Sequence, residues 1–198
     1  MNILTIAYYT TDAYEKEVRK LNESLRFQGL ADSSYVKSVD PFKSWHDAVV
    51  YKPRFILETM EKYRNYDGFL YVDADARFMR KPEWKIFDGK EIGFMHFKRS
   101  VHVPVEFLTG TMFFANTPPV EIFVNEWADI TPRYRHCDCP EQMSLKEVVE
   151  RHPDLAYLDL PPEWVYIFDT FQQKFPSVHP IVKHYQASRR LKRRGKMK

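Results

Sequence analysis

Asp73-Ala74-Asp75 places two carboxylates two residues apart, directly after the apolar run 69–72. Residues two apart on an extended chain project to the same side. The spacing therefore predicts that Asp73 and Asp75 aim at one point beyond the end of a strand. Open α/β sheets bind ligands in the crevice at the carboxyl ends of their strands. Two hard carboxylate oxygens there suit Mg2+ or Mn2+, ions that keep open positions for substrate phosphates. Such an ion stabilises the charge left on a diphosphate as a sugar–phosphate bond breaks. Composition alone supplies about one Asp-x-Asp in a chain of this length. Context decides: an apolar strand before the pair, a small Ala74 within it, and Arg77-Phe78 after it.

The elements that must position this pair show in the periodicity. Residues 3–8 read as a buried first strand. Thr10, Thr11 and Asp12 supply turn and N-cap chemistry ahead of a helix over 14–27, where Tyr14, Val18, Leu21 and Leu25 recur at helical spacing. Gly29 suits its stop. Residues 34–39 form a second strand, and 45–51 fit either helix or strand. Pro53 opens a helix whose face carries Phe55, Ile56, Met60 and Tyr63, and Asp67-Gly68 ends it. Strands follow at 92–97, 111–114 and 155–160, and helices at 120–127 and 141–151. This alternation predicts an α/β sandwich with a mainly parallel sheet.

The chain has 198 residues, which fits one domain over 1–187 followed by a basic tail over 188–198. Hydrophobic residues make up 44% and charged residues 29%, which excludes a disordered chain and leaves an ordinary globular one. An aromatic content of 16% suits a ligand cleft and a filled core equally. No stretch approaches the roughly 20 apolar residues of a membrane span. The N-terminal residues lack signal-peptide regions, so the expected location is the cytoplasm. Cys137 and Cys139 are too few for a disulfide framework, and with His136 and Asp138 they match no zinc spacing; free thiols are expected. Net charge is +3, but residues 188–198 hold seven Lys or Arg and no acid, and the remainder is slightly acidic. Such a tail is a solvated end or a contact for phosphates.

The segment Phe69-Leu70-Tyr71-Val72-Asp73-Ala74-Asp75-Ala76 resembles the D-x-D segment of GT-A-fold glycosyltransferases. Four further segments lie in the order of that family. Lys52-Pro53-Arg54-Phe55-Ile56 opens the helix before the D-x-D strand. Leu108-Thr109-Gly110-Thr111-Met112-Phe113-Phe114 resembles the strand whose glycine lies against the donor sugar. Glu141-Gln142-Met143-Ser144-Leu145 is similar to the acidic-Gln helix start that faces the reaction centre. His184-Tyr185-Gln186-Ala187-Ser188-Arg189-Arg190 resembles the C-terminal segment that brings a histidine to the metal.

The resemblance implies a GT-A-like, Rossmann-type α/β/α sandwich, a nucleotide-sugar donor (most often a UDP-sugar), and Mn2+ or Mg2+. In that reading Asp73 faces the ribose and metal, Asp75 ligates the metal, and His184 is the third ligand. His46, His96, His102 and His179 are its rivals. Tyr8 stacks on the base and Thr10 bonds the ribose. Lys52 meets the donor phosphates, as would Arg189 and Arg190. Gly110 admits the sugar, which agrees with glycine's use where a ligand nears a strand. Glu141 is the acceptor's base or an acceptor-binding acid, with Gln142 beside it. Many family members carry Asp where this chain has Glu141, so its reach differs.

Other readings are weaker. A nucleotidyltransferase would carry a Gly-rich phosphate loop after the first strand, but Tyr8-Tyr9-Thr10-Thr11-Asp12 has no glycine. A nucleic-acid-binding protein would rely on the basic tail, which gives only salt-sensitive, non-specific affinity. A glycosyltransferase acting on hydroxylated DNA bases would use both features. The acceptor is thus a saccharide or modified DNA in these readings.

Overall fold

The computed structural model describes residues 1–10, 14–100, 102 and 104–187. Its main sheet has six strands: Ile3–Tyr9 (β1), Ser34–Ser38 (β2), Gly68–Val72 (β3), Ile92–Phe97 (β5), Glu106–Ala115 (β6) and Tyr157–Asp159 (β7). They lie in the order β2-β1-β3-β6-β5-β7. β1 pairs in parallel with β2 and β3, and β5 in parallel with β7; β6 runs antiparallel between β3 and β5. Five strands therefore share one direction, as a mainly parallel sheet requires. Thr11, Asp12 and the tail over 188–198 lie outside the described residues.

The helices follow the apolar spacing. Glu15–Phe27 (α1) buries Val18, Leu21 and Leu25 and stops before Gly29, whose φ of 71° favours a residue without a Cβ. Residues 45–51 resolve as a helix, Trp45–Val50 (α2), because Ser44 caps it by accepting from the Asp47 amide. Lys52–Lys62 (α3) starts with a proline in its first turn, as do Pro118–Ile130 (α4) and Pro140–Arg151 (α5). α3 packs on α4, α4 on α5, and α5 on β6. The aromatic surplus mostly fills the core: Phe69, Phe87, Phe113, Phe114, Phe123 and Trp127 are fully buried.

A second, three-stranded sheet has no counterpart in the sequence reading. Ala76–Phe78 (β4) pairs antiparallel with Val182–His184 (β9), which pairs in parallel with Tyr166–Ile167 (β8). Strands of two or three residues are too short to show an alternating pattern. α1 packs on β4, and Phe168–Lys174 (α6) packs on β8. The register Ala76↔His184 brings the C-terminal strand alongside the residues that follow Asp75.

Phe113 lies at the centre of this packing, fully buried and stacked on Phe87 at 4.2 Å between ring centroids. Phe113→Ala is expected to destabilise the protein by about 3–5 kcal/mol. Urea unfolding should show a lower midpoint with an unchanged slope.

Candidate active site

β3 ends at Val72, and the chain then turns instead of staying extended. The Ala76 amide donates to the Asp73 carbonyl at 2.9 Å, and the Asp73 amide donates to the Gly110 carbonyl at 2.8 Å. Asp73 and Asp75 thus converge through a tight turn rather than through strand alternation, which corrects the geometric basis of the sequence argument. Asp73, Asp75 and His184 each offer one ligand atom, all within 4.8 Å of one another. Among the described residues no other cluster of three such groups occurs. Of the rival histidines, His96, His102 and His179 are exposed and His46 is half-buried, all outside this cluster.

Each member is held from a different element. Tyr71 donates its hydroxyl to Asp73 Oδ1 at 2.9 Å. The Ala187 amide donates to Asp75 Oδ2 at 2.6 Å, one residue beyond Gln186 with its positive φ of 53°. His184 is 3% exposed; its Nε2 lies 2.8 Å from Thr111 Oγ1, and its Nδ1 lies 3.7 Å from Asp75 Oδ1. That Nδ1 is buried with no hydrogen-bond partner. Burial works against ionising Asp75, but His184, the Ala187 amide and Arg77 together hold its carboxyl below the usual range.

Gly110 sits against this cluster. A Cβ there would lie 3.2 Å from His184 Cε1 and 3.3 Å from Asp73 Oδ2. The strand glycine of the sequence reading therefore keeps space between the His184 imidazole and the Asp73 carboxylate. Two carboxylates, a buried imidazole nitrogen without a partner, and a gap that any side chain would fill make a donor set that fits Mg2+ or Mn2+.

Lys52, only 4% exposed, reaches in from the start of α3. Its ammonium donates to the Thr109 carbonyl at 3.1 Å and lies 3.0 Å from Asp73 Oδ1 and 3.9 Å from Glu141 Oε1. Burial opposes its charge, yet Asp73, then Glu141 and Asp75, keep the ammonium above the ordinary lysine range. Glu141 opens α5 and is 6% exposed; Thr109 donates to its Oε1 at 2.9 Å while Oε2 has no partner. Burial pushes the Glu141 carboxyl up, with Lys52 opposing. Gln142, half-buried on the same turn, does not line the neighbouring cleft.

That cleft, of about 290 Å³, opens beside the cluster. Asp73, Asp75, Lys52 and Glu141 line it together with Thr10, Tyr14, Phe42 and Trp45. Tyr8 also lines it, but its ring packs against Tyr51, Phe55 and Tyr71, and its hydroxyl donates to the Ala48 carbonyl. Tyr14, Phe42 and Trp45 are cleft residues that the sequence reading does not single out. By spacing alone Tyr14 belongs to the apolar face of α1, and Phe42 lies in a loop without periodicity. Cys137 and Cys139 are free thiols. No helix among the described residues is long and apolar enough to cross a membrane.

Fold and site together define an α/β protein with a carboxylate–histidine cluster at the carboxyl end of a central strand. No protein-family model matches the chain, and no curated protein matches it. Among solved structures it is similar to the "crystal structure of a glycosyltransferase involved in the glycosylation of the major capsid of PBCV-1". The TM-score is 0.73 at 15% identity, covering 96% of this chain and 98% of that one. At that identity the likeness is one of fold.

A raised Glu141 pKa means that the native state binds a proton which the unfolded state releases. Stability therefore falls as pH rises from the ordinary Glu range through the raised native value. Glu141→Gln removes this penalty. Its denaturation midpoint should exceed that of the wild type at neutral pH, and the gap should close as pH drops below the ordinary carboxylate range. Equal midpoints at neutral pH would contradict a buried, costly carboxylate.

Proposed function

We propose that this chain is a divalent-metal-dependent glycosyltransferase that moves a sugar from a nucleotide-diphosphate donor, a UDP-sugar, to an acceptor hydroxyl. The observation that carries the reading is the Asp73, Asp75 and His184 cluster beside a cleft that a buried lysine also lines. The fold shared with a protein described as a glycosyltransferase supports it. The basic tail bears on a DNA acceptor only, and it lies outside the described residues.

In this reading Asp75 and His184 hold the Mn2+ or Mg2+, with Asp73 between it and the nucleotide ribose. The ion supplies charge stabilisation to the departing diphosphate. Lys52 adds a fixed positive charge in the cleft, already oriented by Thr109 and therefore needing little rearrangement. Thr10 offers a hydroxyl to the ribose, and Tyr14 and Trp45, with Tyr8 behind them, form the aromatic walls for the base. Gly110 leaves room for the sugar.

Glu141 takes the acceptor side. Its Oε2 has no partner and its side chain lines the cleft, so it can accept a hydrogen bond or a proton from an acceptor hydroxyl. Its raised pKa moves it toward the range in which a carboxylate works as a base.

The purified protein should release UDP from a UDP-sugar only when Mn2+ or Mg2+ is present. Asp75→Ala should lower that rate by on the order of a thousand-fold, since the metal's contribution is worth several kcal/mol. Full turnover in excess EDTA would disprove the reading. Thermal-shift measurements with Mn2+ and a series of nucleotide-sugars then identify the donor as the ligand that raises the melting temperature most.

A further inference from the structure

We propose that Thr111 is a positioning residue whose hydroxyl, 2.8 Å from His184 Nε2, fixes the imidazole tautomer that leaves Nδ1 bare toward Asp73 and Asp75. The inference rests on the metal reading above and extends it from the ligands to a residue that touches neither donor nor metal. His184 must lack a proton on Nδ1 to use that nitrogen as a ligand, and a neutral ring then carries its proton on Nε2. His184 is 3% exposed and Thr111 fully buried, so bulk water does not reach this contact. An Nε2–H in such a place needs a protein acceptor, and Thr111 Oγ1 is within hydrogen-bond distance to serve.

The surrounding structure leaves the ring little freedom to do otherwise. β9 is paired on both sides, by β4 and by β8, which fixes the His184 backbone. Gly110 lies against Cε1 and Nδ1, its missing Cβ only 3.2 Å and 3.4 Å from those atoms. In the opposite tautomer the Thr111 hydroxyl could still donate to Nε2, but the Nδ1 proton would have only Asp75 Oδ1 at 3.7 Å, beyond good hydrogen-bond distance. Consecutive residues of β6 thus act together on one ring, Gly110 making room for the imidazole and Thr111 orienting it. Partners behind a metal-bound histidine typically govern about 10–100-fold in metal affinity.

Thr111→Val keeps the β-branched shape and removes the hydroxyl, while Thr111→Ser keeps the hydroxyl. Mn2+ binding to the nucleotide-free protein, measured by titration calorimetry, should weaken by about 10–100-fold in the valine variant and recover in the serine variant. A second readout needs no metal. In 15N-histidine NMR spectra at mildly alkaline pH, assigned with His184→Gln, wild-type His184 should carry its proton on Nε2. The valine variant should shift that proton toward Nδ1. A wild-type ring protonated on Nδ1, or a valine variant that binds Mn2+ as tightly as the wild type, would overturn the proposal. A wild type that binds no Mn2+ would instead sink the metal reading, and the NMR measurement would still decide the tautomer.

Discussion

An ammonium held inside the protein organises everything around it. Lys52 is almost wholly buried, and a charge in that position persists only with partners. The groups that meet there come from four elements: Lys52 itself from α3, Asp73 from the end of β3, Thr109 from β6, and Glu141 from the first turn of α5. Satisfying one cation therefore draws two strands and two helix starts to a single point. Three carboxylates face that one fixed cation, and Glu141 is so buried that it resists ionisation. Asp73 and Asp75 lie on the side where His184 leaves a nitrogen unpaired, with Arg77 also acting on Asp75. Two carboxylates beside an unpartnered imidazole nitrogen make the geometry suited to a divalent cation.

The principal strands and helices are legible in the sequence because each spans enough residues to display its period. β5 matches its expected range to the residue and β1 to within one; β6 is legible only over its inner part, because Glu106, Thr109 and Gly110 interrupt its apolar run. The small sheet is not legible. β8 and β9 hold two and three residues, and only the apolar pair Ile181-Val182 hints at the second. His184 emerges from the segment resemblance alone; its delivery to Asp75 depends on that unseen sheet.

The candidate site is more legible at the carboxylate–histidine cluster than along the cleft. Asp73, Asp75, Lys52 and Glu141 sit at element ends, where sequence position predicts spatial position. The aromatic walls are different. Tyr8 has the look of a stacking platform because it lies near the end of β1, but its ring is enclosed by three others, a fact of tertiary packing. Trp45 and Phe42 reach the cleft through the loop after β2 and through α2, whose helical state rests on the Ser44 cap rather than on apolar spacing.

This division has a consequence for recognition. The groups around the Asp73, Asp75 and His184 cluster are set by strand pairing and by contacts between nearly buried side chains: Thr111 to His184 and Thr109 to Glu141. Their positions tolerate little adjustment, because interiors are close-packed and each shift disturbs several neighbours. The cleft lining also includes Phe42, Lys43, Ser44 and Trp45, none of them buried, on a short helix and the loop before it. Sites on rigid elements hold reacting groups to tight tolerances, whereas loop-borne walls adapt to different ligands. The fold therefore fixes the carboxylate, histidine and lysine positions first and leaves the shape of the remaining cleft wall to the segment that is hardest to read.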